Sequence, residues 1–504
     1  MTRHALTASG AFLFVSAVAS SASATPLLDT VGPVGGNAGV QGVVSGPGAA
    51  STYFNPAQLM AAEDGFLVSY GFVSEQIGVT LDGRPAGTDV PLAVGARDVV
   101  GRDGSALPND RIPTAWLASG CQGGTGPGTC PAPGLAARPR QSSGASNKTQ
   151  TYLTLGFVKH VVSDRLALGV YSMLPVSNLV TARSFYADER EALFSNSLRP
   201  ELYGDRLTSL SFAFGGAVRI LPTLSIGVSA TLALANVATA STYVRDASNY
   251  DSLLLDTETR TQVDLAPILG VRWTPSDRLR FGGTIHTPQS FDLQTTVSAK
   301  LPAGSDSGTT RRDVYHWMPW RVGVGAEGDV VKRGAYAMAV TGSLKYGFWS
   351  AYEDRHGDSP SMYGQDLAWK DTMSAALGVR PSYGPVRGFV DLSFMPSPVP
   401  EQTGRSNYVD NDRVGLALGA DVKVPLAGSF IRPGLQVSAQ RLIPRHNTKN
   451  ASRLVDELPD GAVFDSTRDP VPGSAGLQTN NPGYPGFGSS GYVWSGFFSL
   501  EMPL

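Results

Sequence analysis

The sequence predicts an all-β chain, a transmembrane antiparallel up-and-down β-barrel of about 14 strands with an N-terminal hatch, or plug, inside the lumen. Three observations carry that expectation. Side-chain character alternates with period two along most of the chain, the signature of strands with unlike faces. Short and long connections alternate without exception. The composition is also charge-poor and glycine-rich: of 504 residues only 16% are charged and 58 are Gly, against the roughly 25% charged residues of soluble domains.

The 40 Lys+Arg and 42 Asp+Glu give a formal charge of −2. Binding nucleic acid takes a concentrated basic surface to replace counterions, so no nucleic-acid partner is expected. With 42% hydrophobic residues and so little net charge, the chain buries a core instead of staying disordered. Past the N-terminus no run of about eighteen apolar residues occurs, which excludes spanning helices and leaves the closed barrel as the membrane solution.

Residues 1–24 read as a signal peptide: Arg3 and His4 precede the apolar stretch Ala11–Ala19, and the small-x-small pattern Ala22-Ser23-Ala24 follows. The mature chain would begin near Thr25 and fold outside the cytoplasm. Residues 25–64 do not alternate. They carry Gly35-Gly36-Asn37-Ala38-Gly39 and then Gly42, Gly46 and Gly48, side chains too small for a core of their own but small enough to pack inside a barrel. The segment closes on Phe54-Asn55-Pro56-Ala57, where Pro56 fixes its own φ and biases Asn55 away from helix, giving a stiff corner.

Residues 65–504 are the expected barrel. Val322, Val324 and Ala326 alternate with Arg321, Gly323, Gly325 and Glu327; Gly388, Val390, Leu392 and Phe394 alternate with Arg387, Phe389, Asp391 and Ser393. The same holds for Val414, Leu416, Leu418, Ala420 and Val422 against Gly415, Ala417, Gly419, Asp421 and Lys423. This register turns Leu210, Phe212, Phe214, Leu224, Ile226, Val228, Phe281, Ile285, Leu344, Tyr346 and Phe348 to lipid. It turns Asp264, Arg272, Arg280, Thr284, His286, Arg321, Glu327, Lys345, Arg387, Asp391, Asp421 and Lys423 to the lumen. An Arg or Lys at mid-depth on the lipid face costs about 2–4 kcal/mol, so the near absence of charge there agrees with the register. Trp273, Trp349, Tyr352, Tyr492 and Trp494 fall near strand ends, where aromatic belts meet the interfaces.

Short turns are expected around Ser163-Asp164, Pro222, Pro275-Ser276-Asp277, Lys332-Arg333-Gly334, Gly384-Pro385 and Gly428. Long connections occupy approximately 82–150, 178–205, 241–260, 300–313, 350–368, 396–412 and 445–490. The first is an irregular external insertion rich in Gly and Pro. It holds both cysteines, Cys121 and Cys130, expected to form a local disulfide outside the cytoplasm. A short surface helix is expected within Phe185–Leu198, which lacks Gly and Pro.

Sought chemistry is thin. Gly323, Gly325 and Gly328 match Gly-x-Gly-x-x-Gly but lie inside an expected strand, whereas a dinucleotide site needs a strand-to-helix turn. There is no Gly-x-Ser-x-Gly elbow and no His-Glu-x-x-His helix. No catalytic residue, metal or cofactor is expected; a Ser/His pair in the wall, with His160 or His286, is the one enzymatic reading left open.

The plug ending in Asn55-Pro56-Ala57 resembles the hatch of the FadL/TodX family of outer-membrane transporters for long-chain fatty acids and aromatic hydrocarbons. Ser163-Asp164-Arg165-Leu166-Ala167-Leu168-Gly169 is similar to its turn into the third strand, and Thr274-Pro275-Ser276-Asp277-Arg278-Leu279-Arg280-Phe281-Gly282 to its central turn. Phe348-Trp349-Ser350, Trp369-Lys370-Asp371-Thr372, Pro398-Val399-Pro400 and Asp410-Asn411-Asp412-Arg413 follow in the family's order, from about residue 35 to the final strand. Two features depart from the pattern: the chain closes on Leu504 instead of an aromatic residue, and its first external connection is longer.

The resemblance implies a Gram-negative outer-membrane protein that takes up hydrophobic molecules by diffusion. Substrate would bind among external loops, pass to an apolar lumenal site, and be freed by hatch movement at Phe54, Asn55, Pro56 and Ala57. It would then leave sideways near the third strand. If the cargo is a fatty acid, a lumenal base should hold its carboxylate; Arg280, Arg321 and Lys345 are candidates by facing. Expected partners are a fatty acid or hydrocarbon, outer-membrane lipid and lipopolysaccharide, with the chain a monomer. A diffusion porin for small polar solutes, or a structural or adhesive barrel, are the alternatives at this point.

Overall fold

The computed structural model describes residues 26–85, 88, 144–176, 198–200, 211–246, 249–300, 306–353, 359, 368–426, 429–454, 456, 476–479 and 481–504. The signal peptide of 1–24, the Cys121–Cys130 pairing, Leu210 and, but for Leu198, the expected helix lie outside the described residues.

Fourteen antiparallel strands close on themselves. In chain order they are β1 Gly65–Leu81, β2 Gly144–Val162, β3 Leu166–Pro175, β4 Ser211–Leu221, β5 Leu224–Asp246, β6 Asn249–Ser276 and β7 Leu279–His286. The circuit continues with β8 Arg321–Arg333, β9 Tyr336–Gly347, β10 Thr372–Tyr383, β11 Val386–Met395, β12 Arg413–Val422, β13 Ser429–Thr448 and β14 Gly486–Pro503. The seam is complete, since β1 and β14 pair from Gly65↔Pro503 through Leu81↔Phe487. Closure leaves no edge among these fourteen strands, which a lipid environment demands.

Five of the six expected short turns join consecutive strands at one end, taken as periplasmic because long loops of such barrels lie outside, and the sixth, at Gly428, lies outside the described residues. Gly384, at φ +55, shows why one of them carries glycine: a side chain there would be strained. Period two decides the facing. Val228, Val324, Leu344, Leu392 and Leu416 are exposed on the outside, while Ser229, Thr284, Glu327, Asp391 and Ala417 are buried within. The Gly-x-Gly-x-x-Gly match lies inside β8, as expected of a strand.

Three expectations need correction. Of the expected connection 241–260, residues 241–246 and 249–260 continue β5 and β6, the latter 28 residues long, far beyond the roughly 9–11 needed to cross a bilayer. The sequence Ser241–Arg260 lacks the sustained apolar alternation by which a membrane strand is read. Within the expected connection 300–313, residue 300 and residues 306–313 belong to the paired strands Gln289–Lys300 and Asp306–Met318. Tyr352 is not an interfacial belt residue but is buried, and Trp349 is half-buried beside it; Trp273, Tyr492 and Trp494 are exposed.

Residues 26–64 form two short helices, α1 Pro26–Val31 and α2 Ser51–Phe54, and a 3-10 turn Pro56–Ala61. Their partners come from inward faces around the circuit: Gln440 on β13, Asp391 on β11, Glu327 on β8 and the Val271 carbonyl on β6. These contacts set the segment within the ring of strands. Space for it is made by missing side chains. A Cβ on Gly282 would lie 2.9 Å from the Val43 carbonyl carbon, one on Gly325 2.8 Å from a Val44 methyl, and one on Gly270 2.8 Å from Pro56 Cδ. At such distances something must shift, so these strand glycines read as a seat.

Candidate functional site

The site grows from one acidic side chain in α1. Asp29 accepts from Arg321 Nη1 on β8, and from Lys345 Nζ on β9 at 2.5 Å. Arg321 Nη1 also donates to the Tyr53 hydroxyl of α2 at 2.9 Å, and its guanidinium lies 5.9 Å from the Tyr53 ring centre. His286, the cross-strand partner of Arg321, meets the Tyr53 ring edge-on at 5.2 Å. A carboxylate and a phenol of the N-terminal segment are thus tied to two cations of the wall. Burial alone would raise the Asp29 carboxyl, but the charges of Arg321 and then Lys345 outweigh it and hold it well below the usual carboxylate range. Burial pushes the Tyr53 phenol up to about 12 against the opposing charge of Arg321.

A cavity of about 130 Å³ opens beside this cluster, on the side of the long loops. Asp29, Arg321 and Lys345 line one part; Met318, Trp349, Met395, Pro396 and Pro398 supply an apolar part. Trp349 belongs also to a group of packed rings. Tyr352 stacks on Trp369 at 3.6 Å and 5°, Trp317 stands edge-on to Tyr352 at 5.5 Å, and Tyr408 edge-on to Trp369 at 5.5 Å. Stacking and edge-to-face geometry of this kind fixes rings in place.

The corner Phe54-Asn55-Pro56-Ala57 is wholly buried. Asn55 is its hub: Nδ2 donates to the Val43 carbonyl at 2.6 Å and the Val271 carbonyl at 3.1 Å, and Oδ1 accepts from the Ala57 N–H at 3.1 Å. Gln58 Nε2 donates to the Gly42 carbonyl at 2.6 Å. The corner is therefore pinned both to its own segment and to β6.

Of the three expected bases, the fold brings Arg321 and Lys345 together at the cavity and leaves Arg280 apart. Arg280 is bonded to Glu327 and, through Nη2, to both carboxylate oxygens of Asp329 at 3.0 Å, near the opposite end of β8. His160 is likewise committed elsewhere, with Nδ1 2.5 Å from Asp64 Oδ1. Asp29, Tyr53 and the ring cluster were missed from the sequence. A lone Asp in a small-residue segment carries no signal until the fold brings Arg321, 292 positions away, to meet it.

No family model matches the chain, and no curated protein sequence matches it. Among solved structures, a FadL homologue of Pseudomonas aeruginosa aligns with a TM-score of 0.50 at 12% identity, covering 96% of this chain and 99% of that one. The P. putida toluene transporter TodX aligns at 0.44 and 11%, over 96% and 99%, and the CymD monoaromatic hydrocarbon channel at 0.42 and 13%, over 95% and 99%. At this identity the first likeness is one of fold: the chain has the FadL-type barrel fold.

Proposed function

We propose that this FadL-type barrel is an outer-membrane transporter for small hydrophobic molecules, with residues 26–64 as a hatch that must shift for cargo to pass. One observation carries the reading: the bore holds the chain's own N-terminal segment, and a cavity with an apolar part lies between that segment and the wall. A water-filled pore for polar solutes needs the opposite arrangement.

The size and charge of the cavity narrow the cargo. A volume of about 130 Å³ is close to that of the engineered apolar cavity of about 150 Å³ that admits benzene. Burying hydrocarbon is worth about 0.8 kcal/mol per CH₂, so seven carbons gain at most on the order of 5 kcal/mol. That corresponds to capture near the millimolar range, weak enough for onward release. Asp29 already occupies the two cations, so a carboxylate cargo must compete with it while an uncharged ring need not. The favoured substrate class is therefore a monoaromatic or short uncharged hydrocarbon, with long-chain fatty acids second.

Cells expressing the chain are expected to accumulate radiolabelled toluene faster than empty cells, and more so than hexadecanoate. Lys345→Met should keep toluene uptake within twofold, since Arg321 still holds Asp29. Toluene entry no faster than in empty cells, or steady porin-like ion conductance in planar bilayers, overturns the reading.

A further inference from the structure

The cavity beside Asp29 has two unlike walls. Met318, Trp349, Met395, Pro396 and Pro398 make one of them apolar. The other is hydroxylated: Ser343 on β9, Ser374 on β10 and Ser393 on β11 line the same space, each half-buried, together with Gln440 on β13. Strand register explains why the serines share a face. Ala376 on β10 pairs with Ser343 on one side and Ser393 on the other, and Ser374, two residues from Ala376, pairs with Lys345. A wall meant for hydrocarbon alone has no use for such groups, because an apolar cargo displaces water from them and offers no bond in return.

Gln440 is the sharpest of them. It is 4% exposed, and its Nε2 donates to the Thr30 carbonyl at 2.7 Å. That bond fixes which end of the amide is which, since an oxygen there would face another oxygen. Oε1 is left buried with no donor among the described residues. Gln436, on the same face of β13, also donates to a hatch carbonyl, that of Val31 at 3.5 Å, and also keeps a donorless Oε1, but it does not line the cavity. The two glutamines therefore separate holding the hatch, which both do, from meeting cargo, which only Gln440 is placed to do. The cations of the cavity already have acids. Arg321 and Lys345 share Asp29, and Arg413 acts by its charge on the buried Asp410. What the cavity lacks is a neutral donor attached to an apolar body.

We propose that the preferred cargo of this cavity is an uncharged monoaromatic ring bearing one hydroxyl, its ring against Trp349, Met395 and Pro398 and its O–H donated to Gln440 Oε1. The serine hydroxyls supply partners for the remaining lone pairs of the cargo oxygen. The proposal rests on the transport reading above and narrows its substrate class from a plain hydrocarbon to a phenol. A simple phenol, like the tyrosine side chain, stays neutral at pH 7, so it need not displace Asp29 from its cations.

Equilibrium binding tests it. The purified full-length barrel in detergent is titrated with tritiated p-cresol, a detergent blank being subtracted, and unlabelled toluene, p-methylanisole and p-toluate serve as competitors. The anisole keeps the ring and the oxygen but has no proton to donate. p-Cresol is expected to bind at least tenfold more tightly than toluene or p-methylanisole, with p-toluate no better than either. Q440M should weaken p-cresol at least fivefold and toluene less than twofold, while Q436M changes neither by more than twofold. The heat-dependent gel shift checks that each variant is folded. Should Q440M fail to fold, S374A carries the test, with an expected loss of at least twofold for p-cresol alone. Equal losses of both cargoes in Q440M make Gln440 a support of the hatch only and overturn the proposal. So does an unchanged p-cresol-to-toluene ratio in S374A, or p-methylanisole or p-toluate competing as well as p-cresol. In those cases toluene still binds and the transport reading stands. If neither p-cresol nor toluene binds, the proposal falls, and toluene uptake by cells decides the transport reading on its own.

Discussion

Replacing Asp29 by Asn tests whether charge holds the hatch in the bore. The Arg321 side chain is 6% exposed and Asp29 18%, and removing one partner of such a buried pair costs about 3–5 kcal/mol because a charge is left behind. Lys345 is 31% exposed, so water screens its share down to at most about 1 kcal/mol. Arg321 keeps the Tyr53 hydroxyl, which places the loss at the lower end, about 3 kcal/mol. At 1.4 kcal/mol per decade the docked-to-undocked ratio should fall about 100-fold. The barrel ladders are untouched, so its unfolding midpoint should not move. D29N is expected to show frequent ion-conducting openings in planar bilayers and faster amide exchange across residues 26–64. Adding R321M should recover much of the closure, since a buried pair replaced by apolar groups loses its unpaired charge. A D29N protein as silent as wild type, with unchanged amide protection, refutes the latch.

Three further outcomes are expected. Because the folded Asp29 carboxyl lies below its ordinary value, its contribution to docking is complete above about pH 4 and is lost only as pH falls through the folded value; conductance traces should stay closed from pH 7 to about 4. Gly282→Val forces a side chain against Val43, an overpacking worth about 1–3 kcal/mol; it should loosen the hatch by amide exchange while the barrel still shows its heat-dependent gel shift. Asn55→Ala removes three hydrogen bonds at about 1 kcal/mol each, and bilayer recordings should show openings at least tenfold more frequent than in wild type.

The barrel was legible because lipid on one side and a packed lumen on the other impose alternation: Val414 to Val422 mark both faces of β12 by residue type alone. Legibility stopped where that contrast stops. Ser241 to Arg260 carries no sustained alternation, so the ends of the two long strands there read as loop. Within the site, inward-facing Arg321 and Lys345 could be read from parity, but their partner could not, because pairing across the bore depends on how a segment without periodicity is folded. The same applies to Tyr352, whose place near a strand end suits a belt or a buried stack equally; only its neighbour Trp369 decides. The corner at Asn55 was found from sequence because proline constrains its neighbour locally, while the bonds to Val43 and Val271 that give the corner its grip were not.

The N-terminal segment brings acid as well as bulk. Asp29 balances Arg321 and Lys345, and Glu63 balances Arg432 through a 2.6 Å contact. Cut away, it would strip Arg321 and Lys345 of that counter-charge and leave Arg432 sharing Glu501 at 4.0 Å. Removal of the segment is expected to shift the ion preference of the barrel toward the anion, read as a displacement of the reversal potential in a salt gradient. The acids of one short segment would then set the charge balance of the whole lumen as well as fill it.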